Sequence, residues 1–123
     1  MLDIEKIVKE IEPFIPGLLG VIIVDEYGLP INYHLATTIE DPIVISGMLA
    51  SATSLMQNIL NEIGNSNFEL LYTQGDKISI LVGHAEGFYI GLITTPSTKI
   101  GTIFMEYKVL KQKIKDVLQS IGG

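Results

Sequence analysis

Between Ile43 and Asn61 the chain carries no charged residue, yet its apolar positions recur with a helical period. A rotation of about 100° per residue gathers Ile45, Met48, Leu49, Ala52, Leu55, Met56, Ile59, Leu60 and Ile63 on one broad face, which predicts a helix packed on a core. The opposite face collects Ile43, Gly47, Ala50, Ser51, Ser54, Gln57, Asn58 and Asn61. A solvated helix face normally carries Lys and Glu, often paired at i,i+4. Here no charge occurs until Glu62. A small, neutral face costs little to desolvate and lets another backbone come close. It therefore favours a partner surface over an uncharged solvated one. Gly47, Ala50, Ser51, Ser54 and Asn58 are the candidate partner-binding residues.

The rest of the composition narrows the chemistry. At 123 residues and 47% hydrophobic, the chain is read as one domain over 1–123 with a substantial core. A formal net charge of −6 argues against nucleic acid as a partner. No cysteine is present, so disulfides, thiolate catalysis and sulfur-ligated metals are excluded. All basic residues are Lys, so there is no arginine finger and no bidentate grip on phosphate. The N-terminal Met1-Leu2-Asp3-Ile4-Glu5-Lys6 has mixed charge and no signal-peptide apolar run. Ser46, Ser51, Ser54, Gln57, Asn58 and Asn61 make the uncharged helix a poor membrane span. A cytoplasmic location without stable membrane insertion is expected.

Periodicity and turn residues give the element order α-β-β-α-β-β-β-α. A first helix over 3–12, with Ile4, Ile7, Val8 and Ile11 inward, stops at Pro13 and Pro16. Leu19 to Val24 reads as a central strand, apolar on both faces. Asp25-Glu26-Tyr27-Gly28 is a turn, and Leu29 to Leu35 returns as a strand that Pro30 marks as an edge. The middle helix starts after an N-cap at Glu40 or Asp41, with Pro42 at its first position, and ends at Gly64. Strands over 68–73, 77–83 and 88–94 follow, joined by tight turns into an antiparallel meander. A last helix spans 99–120, with Ile100, Ile103, Phe104, Tyr107, Leu110, Ile114, Val117, Leu118 and Ile121 as its inward stripe. Strands apolar on both faces need cover on both. The expected fold is an α/β (α+β) three-layer α-β-α sandwich on a five-stranded antiparallel sheet, with the first and last helices on one face and the middle helix on the other.

The order of elements, the segment Val21-Ile22-Ile23-Val24-Asp25-Glu26-Tyr27-Gly28-Leu29-Pro30-Ile31 and the small-residue run Gly47-Met48-Leu49-Ala50-Ser51-Ala52 resemble the Roadblock/dynein light chain family. The signature is an apolar strand, Asp, a short turn with Gly, then Pro and an apolar residue. The resemblance covers nearly the whole chain and implies a Roadblock/longin-like fold. It also implies homo- or heterodimers in which third strands pair and middle helices lie together, a two-helix platform that binds small Ras-like GTPases in several members, and an adaptor or regulator that is not itself an enzyme. On that reading the dimer edge is the strand Phe68, Glu69, Leu70, Leu71, Tyr72 and Thr73, with one charge and no Pro to protect it from pairing.

Catalytic readings find little support. His34 and His84 lack any metal-binding spacing. Asp25 and Glu26 are neighbours in a turn where Asp has a structural role. Ser46, Ser51 and Ser54 lack a nucleophile elbow, and there is no phosphate-binding glycine loop. No catalytic residue, metal or cofactor is expected. Lys108, Lys111, Lys113 and Lys115 read as the solvated back of the last helix, with an anionic membrane contact as the rival. Two other functions remain open. One is a small-molecule sensor, for which the scattered aromatics offer no evident pocket; the other is a structural subunit of an assembly without a GTPase.

Overall fold

The computed structural model describes residues 3–39 and 41–122, with side chains through Gln119. Helix α1 (Ile4–Ile11) is capped by Asp3, whose carboxylate accepts from the Lys6 amide, and it buries Ile4, Ile7, Val8 and Ile11 as the sequence predicts. A 3-10 turn (Glu12–Phe14) leads into β1 (Leu18–Asp25) and β2 (Pro30–Leu35). Helix α2 (Pro42–Gly64) crosses to β3 (Leu70–Gln74), β4 (Ser79–Ala85) and β5 (Phe88–Thr94), and α3 (Ile100–Gly122) closes the fold. All pairings are antiparallel, in the order β2-β1-β5-β4-β3. The proline-bearing β2 is therefore an edge, and β1 is central, with Val21 to Val24 wholly buried.

Alternation along the strands sorts side chains to the two faces. Val21, Ile23, Leu81, Ile90 and Leu92 meet α1 and α3 in one core, together with Ile103, Tyr107, Leu110 and Ile114. Ile22 and Gly91 face α2, where a side chain at Gly91 would strike Ile22 at 2.8 Å and crowd Leu49. The three-layer arrangement, with α1 and α3 on one face and α2 on the other, is as expected. Ile100 is an exception in the α3 stripe, half exposed at the helix start; Ile121 lies beyond the described side chains.

The strand ends shift because the turns are tighter than their residues suggest. Gln74 pairs with Ser79 and the Gly75 amide donates to the Ile78 carbonyl, so the bend is Asp76-Lys77 and β3 runs to Gln74. Ala85 pairs with Phe88 across Glu86-Gly87, with Gly87 at φ +81°, so β4 runs to Ala85. The N-cap of α2 is Asp41, which accepts from the Ile43 amide; Glu40 lies outside the described residues. Its end is capped by Asn65 in the left-handed region (φ 51°), with amides 65 and 66 returning to the Asn61 and Leu60 carbonyls.

The orientation of α2 departs from expectation. Its residues turned most deeply to the sheet are Ser46 and Thr53, flanked by Leu49, Ala50, Met56, Gln57 and Leu60. Met48 (66% exposed), Leu55 (60%), Ile59 and Ile63 (80%), all assigned to the core face, point outward. The physical reason is local. The Ser46 hydroxyl donates to the Pro42 carbonyl at 2.7 Å and Thr53 to Ala50 at 3.0 Å, so neither leaves an unsatisfied group against the sheet. Small satisfied side chains let the helix sit close, and the bulky apolar ones rotate to the surface. With Val44 they form an exposed apolar stripe along the helix.

Candidate functional site: a groove between the β1–β2 turn and α2

The turn after β1 is built around one carboxylate. Asp25 Oδ1 accepts from the Tyr27 and Leu29 amides, each at 2.9 Å, while the Gly28 amide donates to the Asp25 carbonyl. Asp25 is thus occupied structurally. Gly28 takes φ +87°, and a Cβ there would lie 3.2 Å from Ala50 Cβ and 3.7 Å from Gly47 Cα. The small residues of α2 therefore serve first to let this turn pack closely.

Between turn and helix lies a shallow, open groove of about 470 Å³. It brings together all five residues singled out from the sequence: Gly47, Ala50, Ser51, Ser54 and Asn58. Four of them are exposed. Ala50 is half-buried against Gly28, so it belongs to the groove floor rather than to an outer face. Ser51 spends its hydroxyl on the Gly47 carbonyl at 3.0 Å. Glu26 is the one charged residue lining the groove.

Four further residues line the groove: Glu26, Tyr27, Gly28 and Leu55. Tyr27 is 82% exposed. An aromatic side chain in a turn, with no apolar neighbour to bury it, was the available signal. Leu55 lines the groove because α2 is rotated from the phase its periodicity suggests.

The second sequence-derived site, the dimer strand over 68–73, is placed at an edge but with different limits. Phe68 and Glu69 precede β3. Phe68 is buried, its amide donates to Gln57 Oε1 at 2.8 Å, and its ring packs against Tyr89. The Glu69 carbonyl accepts from the His84 amide at 2.9 Å. Together with the bond from Gly75 to Ile78, this sets the parity of the ladder. Leu71 and Thr73 bond β4, while Leu70, Tyr72 and Gln74 turn their amides to the open edge. The Tyr72 side chain packs edge-on against Phe104, and the Leu70 side chain is exposed.

The histidines are far apart in role. His34 Nδ1 lies 2.8 Å from Glu5, linking β2 to α1, and the His84 ring packs on Tyr89. Lys113 donates to Glu10 at 2.6 Å, tying α3 to α1 and holding the Glu10 carboxyl below its ordinary range. By length and composition α2 could cross a membrane. In the fold it is packed on the sheet through Ser46 and Thr53.

Comparison with solved structures finds the same architecture. MglB of Myxococcus xanthus superposes with a TM-score of 0.79 at 18% identity, covering 94% of this chain and 90% of that one. A Roadblock/LC7 domain from Streptomyces avermitilis gives a TM-score of 0.83 at 11% identity, covering 96% and 99%. An MglB with a tetrameric arrangement gives 0.81 at 13% identity, covering 94% and 88%. At these identities the likeness is one of fold. No curated protein matches the chain in sequence. The sequence model of the Roadblock/LC7 domain matches residues 8–94, from within α1 to the end of β5. That match spans most of the chain and includes the groove and both sheet edges, and on it the chain belongs to the Roadblock/LC7 family.

Proposed function

We propose that the protein is a dimeric, non-enzymatic adaptor or regulator that binds a small Ras-like GTPase across the groove between α2 and the β1–β2 turn. The observation that carries this reading is the groove itself. A flat floor of small neutral residues is edged by the exposed Tyr27 and Leu55, an arrangement suited to a protein surface and too open to enclose a small molecule. The family resemblance supplies the class of partner.

Dimerisation is supported by two features of the isolated chain. The β3 edge offers the outward amides of Leu70, Tyr72 and Gln74 with no proline among them. The stripe Val44, Met48, Ile59 and Ile63 leaves large apolar side chains in water. Pairing β3 with its symmetry mate extends the sheet, and bringing the two α2 helices together covers the stripes and sets two grooves side by side. The absence of Arg means that any effect on hydrolysis must work by rearranging the GTPase's own groups. A cytoplasmic location, without cofactor, nucleic acid or membrane insertion, completes the reading.

The test is direct titration with the Ras-like GTPases encoded in the same genome, each loaded with GDP or a non-hydrolysable GTP analogue. Saturable binding that Ser54→Glu abolishes supports the proposal. Binding by none of them, or binding unchanged in that variant, overturns it.

A further inference from the structure

On the other side of the sheet from the groove, α3, the start of β3 and the β4–β5 turn line a half-open cavity of about 650 Å³. Lys108, Lys111 and Lys115, at i, i+3 and i+7 on α3, line it. They are the members of the lysine cluster that remain once Lys113 has turned to Glu10. Lys111 and Lys115 are half-buried, so they are not simply the solvated back of the helix. Glu69 and Glu86 lie on the same walls, yet among the described residues neither comes within ion-pair distance of a lysine. The excess charge at the cavity is positive, in a chain of net charge −6.

The remaining lining is mostly apolar, with Asn67 and His84 as its polar members. Phe104 and Leu70 come together here from distant parts of the chain, beside Tyr107. Tyr107 is 4% exposed and, among the described residues, its hydroxyl has no hydrogen-bond partner. It sits directly over Gly83, where a Cβ would stand 1.8 Å from the hydroxyl oxygen. Two features therefore converge on one cavity: lysines that form no ion pair among the described residues, and an aromatic and aliphatic wall.

We infer that this cavity is a binding site for a small amphipathic anion, a carboxylate or phosphate carried on an aromatic or short apolar body. The lysines receive the anionic head and the Phe104–Leu70 wall receives the body, a division of labour usual in ligand pockets. The site is independent of the α2 groove, and its occupancy does not require the GTPase reading. Leu70 also belongs to the open edge of β3, so a bound anion would lie next to the proposed dimer seam.

The experiment is a titration of the isotopically labelled protein followed by amide NMR, with phenyl phosphate as the probe. Inorganic phosphate and benzyl alcohol serve as charge-only and apolar-only comparisons. Phenyl phosphate should shift the Leu70, Gly83, Ala85 and Glu86 amides saturably, more tightly than either comparison compound. Lys111→Gln and Lys115→Gln should each weaken binding about tenfold, while Lys77→Gln, on the β3–β4 turn, should not. Unchanged melting temperatures would show that the variants remain folded. No saturable shift at millimolar phenyl phosphate overturns the inference, as does binding that all three lysine variants retain. Equal affinity for benzyl alcohol does the same, since it would mark the cavity as an apolar hole only.

Discussion

Proline at position 70 and proline at position 71 should have opposite consequences, and the difference measures whether β3 is a dimer edge. The ladder parity turns the Leu70 amide to the open side and the Leu71 amide to β4. Leu70→Pro therefore removes no bond within the chain. In a two-fold strand pairing it removes one inter-chain bond from each protomer. At about 1 kcal/mol net per bond, the dimer loses about 2 kcal/mol, or about 30-fold in dissociation constant. Leu71→Pro instead breaks a bond to Val82 in the middle of the hairpin and leaves a carbonyl unpaired, costing about 1–3 kcal/mol of folding stability. Sedimentation equilibrium over a concentration series gives the dimer constant. Urea unfolding of the dissociated chain gives the stability. A wild-type protein that stays a 13.5 kDa monomer at micromolar concentration refutes the pairing. So does a Leu70→Pro variant that dimerises as well as wild type.

Other perturbations test separate parts of the structure. Joint replacement of Met48 and Ile59 by Ser should weaken self-association while leaving the stability of the isolated chain within about 0.5 kcal/mol, because both side chains are already exposed; light scattering and unfolding curves would check the two halves. Ala50→Arg should destabilise the fold by about 1–3 kcal/mol, since it drives a long side chain against Gly28, whereas Ser54→Glu should leave the melting temperature intact. Thr94→Val should stabilise the protein slightly, by about 1 kcal/mol in chemical unfolding, because it removes a buried hydroxyl that has no partner among the described residues. Burial pushes the Tyr107 hydroxyl up to about 12, so its stabilising effect is fully present below the ordinary tyrosine value and is lost as pH rises from about 10 to about 12. Ultraviolet titration should accordingly show a late tyrosine ionisation that Tyr107→Phe removes.

Much of this protein was legible in its sequence because the signals are local. Ile4, Ile7, Val8 and Ile11 can share only one face of a helix. The run Val21 to Val24 suits a strand buried on both sides, and Asp25 with Gly28 fits a tight turn whatever surrounds it. The family resemblance rests on the same local pattern, and the five groove residues were found because their smallness and neutrality are properties of the residues themselves. The rotation of α2 was decided by tertiary structure. Its apolar residues cover too wide an arc for periodicity to choose a direction, and Ser46 and Thr53 become good core residues only by bonding their own helix. The β3 limits required the register with β4, because strand pairing and not composition determines where a hairpin turns. The lysine-lined cavity could not be read at all. Leu70, Phe104, Tyr107 and three lysines of α3 come from segments more than thirty positions apart, and only packing of α3 across the sheet makes them neighbours.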